Sequence, residues 1–164
     1  MRRLIPIVLA LMLAACQRET EPDPLRLTGH IFVFNYHVAT ATYLITLKRE
    51  QPLPEGARVR AEFENPAGGA PLTLERTIFP QQDRVVLESP DLACVRKDRP
   101  YRVSIAVLGP EGDRLQALET TVTSSLDQSV LPAKPLVTGP GYEKNAEAFK
   151  DGKAVQFDMA KCAA

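Results

Sequence analysis

Residues 58–64 read RVRAEFE, and apolar and charged residues alternate along this stretch without a break. Successive side chains of a β-strand point to opposite faces, so the two sets separate onto two sides of an extended chain. The apolar set is Ala57, Val59, Ala61 and Phe63, and the charged set is Arg58, Arg60, Glu62 and Glu64. One apolar face is typical of a half-buried strand in an antiparallel sheet. We therefore predict such a strand here and an all-β fold around it.

Other segments repeat this period of two with varying regularity. Gly29 interrupts one of them and predicts a bulge or a close backbone approach. A change of face near Leu118 predicts a second bulge or bend. The regular segments are Tyr43–Lys48, Arg84–Glu88 and Tyr101–Leu108, and the less regular ones are Leu25–Phe34, Leu72–Phe79 and Leu115–Val122.

Turn-forming residues separate these runs. Residues 52–56 (PLPEG), 65–69 (NPAGG) and 109–113 (GPEGD) are rich in Gly, Pro, Asn and Asp, and the last predicts a hairpin. About seven short strands at this spacing predict an antiparallel β-sandwich of immunoglobulin or fibronectin type over residues 25–126. Tyr101 follows a proline at the start of a late strand and is a candidate tyrosine corner.

The pattern changes after residue 126. Residues 130–140 (VLPAKPLVTGP) are rich in proline, which predicts an extended segment lying over the sandwich. Residues 142–150 predict a short helix with Tyr142, Ala146 and Phe149 on one face. Since this tail is too apolar to remain free, we expect residues 127–164 to form a C-terminal extension packed on the sandwich.

The first 15 residues have the three parts of a secretory signal: two arginines, an apolar run and small residues before a cysteine. The apolar run is shorter than the roughly 20 residues that a membrane-spanning helix needs. Residues 13–16 (LAAC) resemble a bacterial lipobox, in which the cysteine after the cleavage site carries the lipid. We predict a signal peptide over residues 1–15 and lipidation of Cys16, with an ordinary cleaved signal as the alternative.

Residues 16–24 (CQRETEPDP) are polar and charged, and they predict a disordered tether. The eight residues after Cys16 reach roughly 25 Å when extended. One acyl chain gives only marginal membrane binding, so a lipobox cysteine with several chains would supply the stable anchor. We expect the lipid on Cys16 to hold the protein to a membrane of the bacterial envelope, facing the periplasm. Gln17 favours the outer membrane by analogy with known sorting signals.

With Cys16 assigned to lipid, Cys94 and Cys162 remain as a pair. Exported proteins meet oxidising conditions, so a disulfide between them is the expected state. Two free thiols or a redox pair are the alternatives, although the chain has no Cys-x-x-Cys motif.

Composition and motifs point away from several function classes. The chain carries 20 basic and 20 acidic residues and no tryptophan, so nothing indicates a nucleic-acid partner. Ser124 or Ser125, with Asp127 and the two histidines, could be assembled into a triad on paper, but no nucleophile-elbow motif is present. His37 and Met159 are the candidate ligands of an alternative copper-handling role. We expect no enzyme, no metal site and no cofactor, and we note Asn35-Tyr36-His37 as a loop suited to protein contact.

Two stretches carry a family resemblance. Residues 53–63 (LPEGARVRAEF) and 98–115 (DRPYRVSIAVLGPEGDRL) resemble the type III secretion lipoprotein chaperone, or pilotin-like, family. Its members have a lipobox, a Leu-Pro-x-x-Ala entry into an alternating strand, and a tyrosine that opens a later strand before a hairpin. The resemblance covers residues 25–126, and the Cys94–Cys162 pair and the long tail depart from the pattern.

The resemblance implies a small β-sandwich lipoprotein without catalytic residues, some members of which escort an outer-membrane partner. We therefore expect a lipid-anchored binding or assembly factor for an envelope protein, such as an outer-membrane or secretion component. A periplasmic copper protein is the alternative.

Overall fold

The computed structural model describes residues 22–162. The signal segment, Cys16 and most of the predicted tether lie outside this range. The described chain folds into antiparallel β-sheets, two of which share a buried core, so the predicted all-β sandwich class is confirmed. No helix in residues 22–162 has the length and apolar character needed to cross a membrane.

Seven strands build the sandwich, and in chain order they are β1 (Leu25–Asn35), β2 (Thr40–Arg49), β3 (Arg58–Phe63), β4 (Leu72–Thr77), β5 (Arg84–Glu88), β6 (Pro100–Leu108) and β7 (Arg114–Thr123). Sheet A has the order β1-β2-β5, and sheet B has the order β4-β3-β6-β7. All neighbouring strands in both sheets are antiparallel. Three strands facing four in this order are typical of fibronectin-like sandwiches.

The RVRAEFE stretch supplies β3, an inner strand of sheet B. It pairs with β4 on one side and with β6 on the other. Val59, Ala61 and Phe63 are fully buried, while the intervening charged residues point away from the core. Burial of each larger apolar side chain contributes about 1.5–3 kcal/mol, which makes the alternation the main reason for this register.

An aromatic cluster occupies the centre of the core. The rings of Tyr43 and Phe63 stack with their centroids 5.3 Å apart. The hydroxyl of Tyr43 donates to the carbonyl of Glu64 at 2.8 Å, and burial raises the pKa of Tyr43 well above its ordinary value. Tyr101 is fully buried, and its hydroxyl accepts a hydrogen bond from the backbone N–H of Arg96 at 2.7 Å. This contact with the chain just upstream confirms the tyrosine corner.

Two register shifts interrupt the strand pairs. The shift in β1 lies between Leu27 and Gly29, as predicted from the glycine. The shift in the β6–β7 hairpin leaves Leu115 as the extra residue, directly after the turn. The bulge predicted near Leu118 is therefore misplaced, since Leu118 packs on the core on the same face as Gln116. An extra residue at Leu115 shifts the alternation by one, which the sequence shows only as a change of face.

Side chains connect β1 to β7 where no backbone ladder joins the two sheets. The side-chain oxygen of Gln116 accepts from the N–H of Leu25 at 3.0 Å, and its amide nitrogen donates to the carbonyl of Leu25 at 2.7 Å. Further along, Nδ1 of His30 lies 2.8 Å from the carbonyl oxygen of Thr121. The buried carboxamide thus satisfies the backbone of β1 as an additional strand would.

The C-terminal extension consists of short elements, which are β8 (Val137–Thr138) paired with β9 (Glu143–Lys144), β10 (Phe149–Lys150) paired with β11 (Lys153–Ala154), and 3₁₀ helices at Gln128–Val130, Ala146–Ala148 and Met159–Lys161.

The helix predicted over residues 142–150 is wrong, because only Ala146–Ala148 is helical and forms one 3₁₀ turn. Tyr142 has a φ of +53°, outside the helical region. Asn145 is extended, accepts from the N–H of Glu147 at 3.1 Å and donates to the carbonyl of Pro135 at 2.7 Å. These local side-chain bonds compete with helix formation in a segment too short to be helical alone.

The extension closes one end of the core. Leu131 is 1% exposed and belongs to the same buried cluster as the strand residues. Gln128 is 2% exposed, and its backbone N–H donates to the carbonyl of Val95 at 2.8 Å. Its side chain accepts from the N–H of Val95 at 3.3 Å and donates to the carbonyl of Leu92 at 3.2 Å. Residues after β7 therefore complete the core and form hydrogen bonds with buried backbone groups of the loop before β6.

Leu131→Ala should lower the free energy of unfolding by about 2–5 kcal/mol, because it opens a cavity where the extension meets the sandwich. Leu126→Ala is the matched control, since Leu126 is 47% exposed and its loss should cost about 0.5 kcal/mol or less. Urea unfolding of both variants measures the difference. Equal small losses would contradict a core that includes the extension.

Candidate interaction surface

The two ends of the sandwich carry different parts of the chain. The described chain starts at Pro22 and enters β1 at Leu25, so the end that contains Leu25 and the turn at residues 109–113 is termed the tether end. β1 is 11 residues long and reaches Asn35 roughly 35 Å away. The end at Asn35, where the extension contacts the sandwich, is termed the distal end.

Exposed ring side chains collect at the distal end. Tyr36, which is 45% exposed, and the exposed His37 lie in the turn between β1 and β2. The N–H of Leu136 donates to the carbonyl of His37 at 2.8 Å, which joins this turn to the chain that enters the β8–β9 hairpin. Tyr142, in the turn of that hairpin, is 72% exposed. Tyr36, His37 and Tyr142 together are termed the distal platform.

Unusual backbone conformations are confined to the same end. In the described range, the non-glycine residues with positive φ all lie in the turns of the distal end and in the extension, and they are Ala39, Cys94, Asp98, Tyr142 and Asp151. Each such conformation costs about 1–3 kcal/mol and persists only where surrounding contacts fix it. Strain of this kind clusters at functional sites, which makes the distal end the best candidate for one.

Covalent and polar contacts hold this end together. The sulfur atoms of Cys94 and Cys162 lie at the disulfide distance of 2.00 Å, as the predicted pairing requires, and they join positions 68 residues apart. Asp127 caps the first 3₁₀ helix by accepting from the N–H of Ser129 at 2.9 Å. The hydroxyl of Ser129, together with that N–H, holds the pKa of Asp127 below its ordinary value. The carboxylate therefore caps the helix in its ionised form at neutral pH.

The candidate copper ligands gain no supporting geometry. His37 lies in the β1–β2 turn, and Met159 begins the last 3₁₀ helix. Across residues 22–162, no three His, Cys, Asp or Glu side chains are grouped so that they could hold a metal ion.

The residues considered for a hydrolytic triad have structural partners instead. The buried hydroxyl of Ser124 donates to the carbonyl of Leu126 at 2.6 Å within its own turn. Asp127 caps a helix, and His30 bonds to the β7 backbone. A groove of about 410 Å³ at the tether end is lined by Pro22, Pro24, Gln51, Pro52, Leu53, Pro54 and Leu115, none of which is ionisable. These contacts do not place a nucleophile beside a base.

The outer face of sheet B is a charged, solvated surface. Glu75 on β4 forms ion pairs with Arg58 and Arg60 on β3, each with a nitrogen–oxygen distance of 2.9 Å. The Arg60 guanidinium is the main cause of a lowered pKa for Glu75. Opposite charges across neighbouring strands support the pairing of β3 with β4 and require no ligand.

Tyr142 is the platform residue that the sequence pattern does not identify, since the pattern places it on the apolar face of a helix. The preceding residues 139–141 read GPG, which is a turn signal. The next residue then falls at the tip of a hairpin, where its ring is exposed. That signal could have identified Tyr142 as a surface residue.

No protein-family model matches the chain, and no curated protein matches it. Several solved structures align with part of it, among them the following two. One is an endonuclease/exonuclease/phosphatase from Beutenbergia cavernae, with 18% identity and a TM-score of 0.32 over 58% of this chain and 27% of the other. The second is an alkylpurine DNA glycosylase from Pseudomonas fluorescens bound to DNA containing an abasic site analog, with 15% identity and a TM-score of 0.32 over 62% of this chain and 31% of the other.

The aligned part of both structures is less than a third of their length. Similarity at this level of identity and TM-score carries no argument about the fold or function of this chain.

Reduction of the Cys94–Cys162 bond should lower the free energy of unfolding by about 4 kcal/mol in the chain-entropy model, because the bond closes a long loop. Urea unfolding with and without reductant measures this, and the Cys94→Ser/Cys162→Ser double variant should match the reduced protein. Intact mass should rise by two hydrogen atoms on reduction. Two thiols that alkylate freely in the oxidised protein would contradict the pairing.

Proposed function

We propose that this chain is a lipid-anchored lipoprotein of the bacterial cell envelope that binds and helps to assemble another envelope protein without catalysis. The lipid on Cys16 would hold it to a membrane, with the outer membrane favoured, and the sandwich would face the periplasm. The partner would be an outer-membrane or secretion component.

The position of the distal platform supports this proposal most directly. The chain enters the sandwich at the tether end, while Tyr36, His37 and Tyr142 lie on turns at the distal end. A protein anchored at one end can present the other end to a partner while it stays attached. Strands connect the two ends, so the platform is held on a rigid scaffold.

The chemistry of the platform suits a protein partner. Tyrosine and histidine rings offer an apolar body and a polar edge, a combination enriched at protein interfaces. The Leu136–His37 hydrogen bond limits the freedom of the β1–β2 turn and of the chain that enters the β8–β9 hairpin, and the Cys94–Cys162 bond fixes the end of the extension that carries this hairpin. Less conformational entropy is then lost on binding, which favours affinity.

The resemblance of residues 53–63 and 98–115 to the pilotin-like family supports an assembly role over a purely structural one. Both stretches lie in the sandwich, where they form the entry to β3 and the β6–β7 hairpin. The platform and the extension lie outside that resemblance. The partner recognised there would be specific to this chain.

Cys16→Ser should abolish lipidation and leave an unprocessed precursor, because the thiol is the atom that would carry the lipid. Detergent phase partitioning and intact mass of the protein from envelope fractions measure this. The wild-type protein should enter the detergent phase with the mass of added acyl chains. A wild-type protein that is soluble and unmodified would contradict the anchor.

Tyr36→Ala and Tyr142→Ala should each reduce crosslinking to the envelope partner severalfold, because each removes an exposed ring of the platform. Phe79→Ala is the matched control, since Phe79 is 57% exposed but lies in the β4–β5 loop at the tether end. Quantitative crosslinking in intact envelopes followed by mass spectrometry provides the readout. If Phe79→Ala reduced crosslinking and the two tyrosine variants did not, the binding surface would lie at the tether end, and the distal platform would be contradicted.

A further inference from the structure

We propose that the outer face of sheet A rests on the surface of a phospholipid bilayer that contains anionic headgroups. This inference rests on the proposed lipid anchor at Cys16. It adds an orientation for the sandwich on the membrane and assigns a face of the molecule that the binding proposal leaves unused.

The outer face of sheet A carries several apolar side chains although it lies on the surface, and Thr46 and Glu88 lie on the same face. Ile31 is 55% exposed and pairs with Leu44 on β2, which is half-buried. Val86 on β5 is 38% exposed, and Val33 on β1 is half-buried. The outer face of sheet B carries arginine and glutamate at the corresponding positions. A contiguous apolar surface on one side only is typical of a face that meets a partner or a membrane.

A row of cationic side chains borders this apolar surface at the tether end. Arg26 pairs with Lys48, and Lys48 pairs with Arg84, so the three lie side by side across all strands of sheet A. One carboxylate accompanies them, since Glu50 lies 2.9 Å from Arg26 and 3.5 Å from Lys48. A second, Glu88, pairs with Leu44 at the β5 edge and accepts a hydrogen bond from the Thr42 hydroxyl at 3.1 Å. Within residues 22–162 no ion pair involves Arg84, which leaves its guanidinium available to a headgroup phosphate.

The route of the chain selects the membrane as the occupant. The described chain begins at Pro22, and Arg26 follows it by four positions. Pro22 follows Cys16 by six positions, which is a reach of roughly 20 Å. The cationic row is therefore the part of sheet A that the anchor holds nearest to the bilayer. Apolar side chains beside lysine and arginine are the composition that binds anionic lipid surfaces.

The resulting orientation leaves the other surfaces free. With sheet A on the bilayer, the charged outer face of sheet B points to solvent. The distal platform then projects along the membrane surface, where a membrane protein partner could reach it.

The test uses the absence of tryptophan from the chain. Ile31→Trp places a single probe on the outer face of sheet A, and Thr73→Trp places the control on the exposed outer face of sheet B. Each full-length lipidated variant is reconstituted into vesicles whose lipids have brominated acyl chains. The anionic vesicles contain phosphatidylglycerol, and the neutral vesicles contain only phosphatidylcholine. The Ile31→Trp variant should lose most of its fluorescence on the anionic vesicles and less on the neutral ones, and the Thr73→Trp variant should lose little on either.

Charge variants identify the contribution of the cationic row. Arg84→Gln in the Ile31→Trp background should reduce quenching on anionic vesicles, and Arg102→Gln, on the exposed face of sheet B, should leave it unchanged. If the protein floats with the vesicles but both probes are quenched equally, the proposed orientation is overturned while the lipid anchor is not. Shielding of the Ile31→Trp probe that rises with protein concentration would also overturn the inference, because it would indicate that a second copy of the chain covers this face. Protein that does not float with the vesicles would contradict the anchor and this inference with it.

Discussion

The side chain of Gln128 bridges the N–H of Val95 and the carbonyl of Leu92, while its backbone N–H donates to the carbonyl of Val95. These bonds attach the residues after β7 to the loop between β5 and β6. At this end of the sandwich, Gln128 is the hydrogen-bond partner of these loop backbone groups, in place of a further strand. A buried backbone group without such a partner would cost about 1–3 kcal/mol. Leu131 fills the space beside this contact, and so the extension is a structural part of the sandwich.

The division of the molecule into ends follows from that closure. Because the extension covers the distal end, its β8–β9 hairpin and the β1–β2 turn both lie there and carry the distal platform. The tether end stays free of the extension and receives the chain from the predicted anchor. The outer faces of the two sheets also differ, since that of sheet A combines exposed apolar side chains with a cationic row and that of sheet B is charged throughout its centre. This asymmetry gives a small sandwich three distinct surfaces.

Alternation along RVRAEFE predicts β3 well, because one strict apolar face determines both the strand and its orientation. The prediction is weaker where a long-range partner decides the conformation. Gln116 and Gln128 are polar residues that are buried because distant backbone groups need them, and no local pattern identifies those groups. The extension between residues 142 and 150 contains helix-forming residues, yet Asn145 and its bond to Pro135 impose a turn.

The surfaces could be predicted only in part. Composition predicts a contact loop at residues 35–37, and the structure places Asn35 at the end of β1 and Tyr36 and His37 in the following turn. The apolar outer face of sheet A has a signal in the sequence, since residues 31–34 (IFVF) and 85–87 (VVL) are apolar without alternation. An unbroken apolar run gives a strand with two apolar faces. Which of these two faces lies in the core is determined only when β1, β2 and β5 pair to form sheet A.

Native-state hydrogen exchange tests most directly whether the extension and the sandwich are one cooperative unit. The amides of Gln128, Leu131 and Phe157 donate to backbone carbonyls within or next to the extension, and those of β6 donate within sheet B. With the disulfide intact, we predict that both sets exchange through global unfolding with the same free energy. Exchange of the extension amides through local opening at a clearly lower free energy would contradict an extension that completes the core.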